Sequence, residues 1–205
     1  MKYERFTDAK GVEWVRRIVT PEDSMRWAGV PSKFHRIAIE ARPTLALGVV
    51  QKILAGDGVL AVLSGGTGCG KSTACAHALS KQAGLWVHAP DLAKPDFTDP
   101  DEYGVRKTTL DERMRAAGLL VLDDVGIEHS PGGYAASRIT DVLEHREANR
   151  RPSIVTTNLT GEEFKAKYGQ RIASRLNGDP VGWQHISGED LRVTHWQDKA
   201  EKADE

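Results

Sequence analysis

Short runs of apolar and β-branched residues recur along the chain, separated by longer stretches in which apolar and polar residues are mixed. The four clearest runs lie at 59–63, 84–88, 118–122 and 153–157. A strand in which consecutive residues are apolar, rather than every second residue, is typical of a parallel sheet covered on both faces. A further segment, 182–187, is predicted to form an edge strand. The pattern therefore predicts an α/β fold built around a parallel sheet.

The mixed stretches carry apolar residues three or four positions apart, which is the spacing of one face of an α-helix. In the longest of them, Ile139, Val142 and Leu143 share a face with Arg146. We expect the charge of Arg146 to favour the carboxyl end of its own helix. The predicted helices are 43–54, 73–81, 110–117, 134–150, 161–168 and 170–176.

A glycine-rich loop joins the first predicted strand to its helix. Residues 65–72 fit the pattern G-x-x-x-x-G-K-[ST], which binds phosphate in this strand-to-helix context; a plain glycine turn is the alternative. Glycines let backbone N–H groups point inward, and the start of a helix attracts the same anion. Lys71 is expected to reach the β- and γ-phosphates, and Ser72 to place its hydroxyl on Mg²⁺. The residues predicted to bind the nucleotide are Gly65, Gly66, Thr67, Gly68, Cys69, Gly70, Lys71, Ser72 and Thr73.

Polar residues also end two later strands. Asp123 and Asp124 close the third run, and Asn158 closes the fourth. Behind a phosphate loop, we predict that Asp123 organises Mg²⁺ and that Asp124 polarises the attacking water, with Glu128 in reserve. Asn158 is predicted to orient that water against the γ-phosphate. The alternative is that these residues are only turn formers, and Asp124 is one methylene shorter than a glutamate base.

Composition excludes several classes of protein. The 205 residues suit one domain, and a net charge of −1 means that any contact with nucleic acid must be local. No apolar run approaches the roughly 20 residues of a membrane span, and the first ten residues lack the apolar core of a secretory signal. We therefore expect a cytoplasmic protein with no membrane partner. The two cysteines, Cys69 and Cys75, are too few for a metal site.

The motifs, taken in order, resemble the DnaC/IstB group of AAA+ ATPases, the helicase loaders and transposition helpers. The matching segments are 27–31, 65–72, 119–126, 152–159, 171–176 and 187–192. The resemblance implies a P-loop NTPase AAA+ core, a three-layer α/β/α fold with a five-stranded parallel sheet in the order 5-1-4-3-2 and no C-terminal helical lid. It also implies ATP and Mg²⁺ as cofactors and self-association into a ring or spiral.

The same resemblance assigns roles to three residues. Asn158 becomes sensor 1, and Arg175 becomes the arginine finger that a neighbouring subunit supplies, with Arg171 as the second choice. The two arginines are four residues apart and share a helix face; a solvated surface pair is the alternative. A finger of this kind is typically worth about 10³–10⁵ in rate.

The resemblance further implies single-stranded DNA and a replicative helicase as partners. Arg106, Lys107 and Arg113 are weak candidates for contacting the DNA. The chain is divided into an N-terminal arm that could bind a partner (1–24), the AAA+ ATPase domain (25–192) and a C-terminal tail (193–205).

The leading hypothesis is an ATP-hydrolysing DNA replication protein that assembles on single-stranded DNA and loads the replicative helicase. One alternative is an IstB-type ATPase helper of transposition, which would bind a transposase. A slowly hydrolysing, nucleotide-gated adaptor is another. A small-molecule kinase is the fourth hypothesis, and it lacks an arginine-rich lid.

Overall fold

The computed structural model describes residues 2–40, 42–94, 108–188 and 190–191. The strands are β1 (Lys2–Thr7), β2 (Glu13–Ile18), β3 (Leu60–Ser64), β4 (Gly84–His88), β5 (Leu119–Val125), β6 (Ser153–Thr157) and β7 (Gly182–His185). The helices are α1 (Pro21–Ala28), α2 (His35–Ile39), α3 (Leu45–Ala55), α4 (Lys71–Lys81), α5 (Leu110–Ala116), α6 (Tyr134–Ala148), α7 (Gly161–Tyr168) and α8 (Gln170–Gly178). Within these residues, no helix has the length and apolar character that crossing a bilayer requires.

Strands β3 to β7 form one parallel sheet in the order β4-β5-β6-β3-β7. If β3, the strand before the glycine loop, is numbered 1 and β4 to β7 are numbered 2 to 5, the order read from the β7 edge is 5-1-4-3-2. This order confirms the predicted topology. Strand β6 separates β3 from β5, so the carboxyl ends of these three strands lie side by side. The loop after β3 and the polar residues that end β5 and β6 therefore meet at one edge of the sheet.

Two apolar cores flank the sheet and make the fold a three-layer α/β/α structure. Alternate residues of β3 point to opposite faces. Ala61 and Leu63 pack with helices α1 to α4, whereas Leu60 and Val62 pack with α5 to α8. Because both faces are covered, the central strands are buried along their whole length, as their continuous apolar runs predict.

The N-terminal arm contains regular structure that the sequence analysis did not anticipate. Strands β1 and β2 form an antiparallel hairpin separate from the main sheet. Helix α1 begins at Pro21 and buries Met25 and Ala28, so it crosses the predicted boundary between residues 24 and 25. The tail, 193–205, and two of the candidate DNA contacts, Arg106 and Lys107, lie outside the described residues. The third, Arg113, is exposed on α5.

Arg146 is buried, although the sequence analysis placed its charge at the end of its own helix. Its guanidinium donates to the carbonyl oxygens of Met114, Ala117 and Pro152 at 2.7–2.8 Å and to the Ser153 hydroxyl at 2.9 Å. The first two carbonyls belong to the end of α5. Arg146 lies in the last turn of α6, as predicted, and its guanidinium also joins α5 to α6 and to the start of β6.

Candidate active site

The amino terminus of α4 is built differently from that of most other helices. Helices α3, α5 and α7 begin after a threonine whose hydroxyl accepts a backbone N–H of the first turn: Thr44, Thr109 and Thr160. Helix α4 instead follows Gly70, which has a φ of +90° and makes no side-chain cap. Its first N–H groups thus face the loop without a protein side chain to cap them. An uncapped helix start behind glycines is the arrangement that binds anions.

The structure brings Lys71 and Asn158 together. The Lys71 ammonium donates to the carbonyl oxygens of Gly65 and Gly66, each at 2.7 Å, and to Oδ1 of Asn158 at 3.1 Å. Lys71 is nearly buried, and within the part of the chain that the structure describes its ammonium has these three neutral oxygen acceptors and the Cys69 sulfur at 3.6 Å, with no carboxylate at hydrogen-bond distance. The amine therefore places a positive charge between the glycine loop and the end of β6.

Ser72 and Asp123 also meet. The Ser72 hydroxyl donates to Oδ1 of Asp123 at 2.7 Å, and the Thr156 hydroxyl donates to the same oxygen at 2.8 Å. Asp123 is only 5% exposed. Burial raises the pKa of its carboxyl group, and the hydrogen bonds from Ser72 and Thr156 oppose that rise only in part. The site thus holds a carboxylate whose charge is poorly solvated and would be stabilised by a cation.

Asp124 adopts an unusual backbone conformation, with a φ of +57°. The pairing of β5 with β6 shifts register between Leu122 and Val125, and the Asp124 N–H donates to the Thr156 hydroxyl at 2.9 Å. Such an irregularity re-aims side chains at the end of a strand. Asp and Asn tolerate a positive φ far better than other non-glycine residues, including Glu. The backbone therefore accounts for an aspartate where the sequence analysis noted the absence of a longer glutamate.

His88 was not identified from the sequence. It is the last residue of β4 and pairs in register with Asp123, and its Nδ1 lies 3.9 Å from Oδ2 of Asp124. Thr156, inside the apolar run of β6, was also missed. Each residue lies near the carboxyl end of a strand that neighbours β5, and this position was the only sequence signal for it. That signal can be used only when the strand order is already known.

The donor set fits a magnesium ion. His88, Asp123 and Asp124 each offer a ligand atom within 4.8 Å of the others, and the Ser72 hydroxyl is bonded to Asp123. Mg²⁺ prefers oxygen ligands and usually keeps several of its waters, so one hydroxyl and one carboxylate suffice beside a phosphate. A histidine nitrogen is a poorer ligand for this ion. Ser72 and Asp123 are thus the residues suited to hold it.

The segment after β7 packs across the glycine loop. A Cβ atom on Gly65 would lie 2.3 Å from the carbonyl oxygen of Ile186, and the N–H of Leu191 donates to the Gly68 carbonyl at 3.2 Å. The carboxylate of Asp190 lies against Gly68, where a Cβ atom would be 1.9 Å from its Oδ1. Gly65 and Gly68 are therefore required for close packing of the chain as well as for approach by a ligand.

Glu128, the reserve catalytic carboxylate, belongs to a different cluster. It accepts hydrogen bonds from the Gly126 N–H and the Tyr168 hydroxyl, and it forms an ion pair with Lys167 at 2.9 Å. Burial opposes ionisation of this carboxyl group, but these hydrogen bonds together lower its pKa. Glu128 thus ties the loop after β5 to α7.

The two candidate finger arginines differ in availability. Arg175 forms an ion pair with Glu147 of α6, and its side chain is 32% exposed. Arg171 lies 3.5 Å from Glu144, and its side chain is 81% exposed. Both therefore have an acidic neighbour from α6 that proximity in sequence did not reveal. Arg171 is the more accessible to another subunit.

Comparison with known proteins identifies the fold. No family model matches the chain, and no curated protein matches it in sequence. Among solved structures it is similar to a DNA replication initiation factor (TM-score 0.57, 16% identity, 90% of this chain and 54% of that one). It is also similar to AMPPCP-bound DnaA from Aquifex aeolicus (0.53, 17%, 90% and 55%) and to the DnaC helicase loader (0.57, 15%, 77% and 100%). The chain thus shares the fold of these proteins, and it spans about half the length of the first two neighbours.

Proposed function

We propose that this chain binds ATP with Mg²⁺ and hydrolyses it as a DNA replication protein of the helicase-loader type, assembling on single-stranded DNA. The observation that carries the proposal is the convergence of two contacts at one sheet edge, Lys71 with Asn158 and Ser72 with Asp123. These pairs join the loop after β3 to the ends of β6 and β5. A phosphate site, a cation site and a polar group facing both are what phosphoryl transfer requires.

Each residue has a distinct role in this proposal. Lys71 and the N–H groups at the start of α4 bind and neutralise the phosphates. Ser72 and Asp123 would hold Mg²⁺, which supplies charge neutralisation across the phosphate oxygens. Asp124, with a side chain 41% exposed, accepts a proton from the attacking water, and Asn158 orients that water. His88, whose Nδ1 lies 3.9 Å from Oδ2 of Asp124, flanks that carboxylate.

The last component comes from another subunit. We infer that Arg171 or Arg175 reaches the nucleotide of a neighbouring copy, so that hydrolysis requires assembly. Mixing two inactive variants tests this directly. Asp124→Asn keeps its arginines but lacks the catalytic carboxylate, whereas Arg171→Ala or Arg175→Ala keeps the carboxylate. The mixture should recover activity that neither variant has alone, because some interfaces then combine an intact site with an intact arginine.

The appropriate control is Arg36→Ala, because Arg36 is also an exposed helical arginine, 3.8 Å from Glu40. Its rate should match that of the wild type. Activity per protomer that does not fall on dilution, or a mixture no more active than its components, would exclude hydrolysis between subunits.

The replication role is supported by the fold neighbours, which include a replication initiation factor and a helicase loader. ATPase assays with and without single-stranded DNA, comparing the wild type with Lys71→Ala, test the enzymatic part. Co-purification with a replicative helicase or with a transposase tests the choice of partner. Recovery of the transposase alone would replace helicase loading with transposition as the function.

A further inference from the structure

The hairpin of β1 and β2 carries the most exposed aromatic side chains near the amino terminus. Tyr3 is 60% exposed, Phe6 42% and Trp14 52%. The described side chains from residue 3 to residue 19 are all exposed except that of Asp8, which is partly buried. A two-stranded hairpin is marginally stable in water, and concentrated exposed apolar surface marks a binding site.

The register of the hairpin arranges these rings into two platforms. Phe6 lies directly opposite Trp14, so both rings stand on the same face. Tyr3 is on the other face, along with Arg5 and its partner Val15. Each face therefore combines aromatic surface with neighbouring polar or basic positions.

Asp8 holds the end of the hairpin in shape. Its carboxylate accepts hydrogen bonds from the indole Nε1 of Trp14 at 2.9 Å and from the N–H groups of Lys10 and Val12 at 2.9 and 3.0 Å. The indole is thus fixed at its edge, while its ring remains about half exposed. A preoriented aromatic ring loses little conformational entropy when a ligand stacks on it.

The charge of the hairpin differs from that of the rest of the chain. Residues 2–18 contain five basic and three acidic residues, although the whole chain has a net charge of −1. One of those acids, Asp8, is engaged within the turn. Residues 2–18 thus have a net charge of +2, whereas the remaining residues sum to −3, and this positive charge is complementary to a polyanion.

Aromatic rings interleaved with basic residues match a single-stranded nucleic acid, whose bases stack on rings while its phosphates attract cations. We propose that the β1–β2 hairpin is a binding platform for single-stranded nucleic acid. Bases stack on Phe6 and Trp14, which share one face, and Lys10, in the turn that joins the two strands, contacts a phosphate. Each six-residue strand is about 20 Å long, which limits the footprint to a few nucleotides. This inference rests on the proposed function, because it names the element that contacts the DNA.

The test is fluorescence anisotropy with labelled thymidine and uridine oligonucleotides and the full chain. The double variant Phe6→Leu/Trp14→Leu keeps apolar surface but removes both stacking faces. Loss of stacking is expected to weaken binding about 5- to 150-fold per base. Trp27→Leu is the matched control, since Trp27 is 54% exposed but lies on α1, outside the hairpin. Its affinity should equal that of the wild type.

Lys10→Gln tests the electrostatic part. The slope of log affinity against log salt should fall in magnitude by about 0.7, the value for one phosphate contact on a single strand. ATP binding, measured in parallel, should be unchanged in every hairpin variant. Comparison of the thymidine and uridine probes shows whether DNA or RNA is the better ligand.

The outcomes separate this inference from the proposed function. If the wild type binds oligonucleotide and the double leucine variant binds equally well, the hairpin assignment is overturned while the proposed function stands. If oligonucleotide binds through the hairpin but ATP does not bind, the proposed function fails and the assignment stands. If the leucine variant keeps oligonucleotide binding and loses only a protein partner, the hairpin is a protein-docking element and the assignment is overturned.

Discussion

Replacing Asp123 with asparagine is expected to abolish hydrolysis while stabilising the fold. The substitution removes the negative charge with almost no change of shape. Oδ1 of Asp123 accepts both the Ser72 and the Thr156 hydroxyls, and the amide oxygen of asparagine can accept the same two hydrogen bonds. The experiment therefore isolates the charge from the packing.

Two opposing terms set the magnitude. A hydrogen bond to a charged group contributes about 1.5–3 kcal/mol and a neutral one about 0.5–1.5, so neutralising Asp123 costs roughly 2 kcal/mol over two bonds. Burying an ionised carboxylate costs several kcal/mol, and the nearby Asp124 charge adds to that cost. The pKa of Asp123 is raised, which shows that the burial cost exceeds the gain from hydrogen bonding. Asp123→Asn should thus unfold at a higher temperature at neutral pH.

The raised pKa also fixes the sign of the pH dependence. The folded protein holds this proton more tightly than the unfolded chain, so the Asp123 contribution to stability falls as pH rises from the usual value of 3.8 through the raised value. At a pH below 3.8 the carboxyl group is protonated in both states, and the cost of burying its charge is absent. At a pH above the raised pKa the folded protein bears that cost in full. The gain in stability of Asp123→Asn over the wild type should therefore be largest at neutral pH and should shrink on acidification.

Thermal or urea denaturation in metal-free buffer, together with an ATPase assay, measures both effects. The rate of ATP hydrolysis by Asp123→Asn should fall by about 10²–10³-fold, because residue 123 would lose the negative charge suited to bind a cation. Asp124→Asn is the control: its φ of +57° suits asparagine and its side chain is 41% exposed, so its stability should change by less than about 0.5 kcal/mol. A metal-free Asp123→Asn protein less stable than the wild type at neutral pH would refute the reasoning.

Three further predictions follow from other contacts. Asn158→Ala removes an acceptor of the Lys71 ammonium and should slow single-turnover hydrolysis about 10-fold or more with little loss of nucleotide affinity, measured by rapid quench and equilibrium binding. Arg146→Met leaves buried carbonyls without a donor and should cost about 3 kcal/mol or more in urea denaturation. Gly65→Ala should destabilise the protein by about 1–3 kcal/mol because its Cβ would meet a backbone carbonyl, whereas Gly66→Ala, with open space around it, should change stability by less than about 0.5 kcal/mol.

The main sheet could be predicted because its signals are local or come from ordered motifs. The continuous apolar runs of β3 and β5 can be recognised without knowing their neighbours, and the start of α4 is marked by the glycine loop. The order of the strands came from the resemblance to AAA+ proteins. Once that order is given, the meeting of Lys71 with Asn158 follows from geometry, because parallel strands end at the same edge.

The missed features depend on contacts between residues distant in sequence. His88 acquires its place from the register of β4 with β5, and Thr156 from a hydroxyl inside an otherwise apolar strand. Periodicity places Arg146 on the apolar face of α6, but its acceptors come from the end of α5, which periodicity cannot show. The described side chains of β1 and β2 are all exposed, so the apolar alternation that usually identifies a strand is weak there.

The hairpin and the nucleotide loop are joined by a short structural path. Helix α1 begins three residues after β2 and packs against α4, where the Ser24 hydroxyl donates to the Leu79 carbonyl at 2.7 Å and Met25 is fully buried. Helix α4 begins at Lys71, inside the phosphate loop. Proximity alone does not establish coupling, but linkage makes it measurable: if ATP strengthens nucleic-acid binding by some factor, nucleic acid must strengthen ATP binding by the same factor. A coupling factor that changes with protein concentration would mean that assembly, rather than this path within one subunit, connects the two sites.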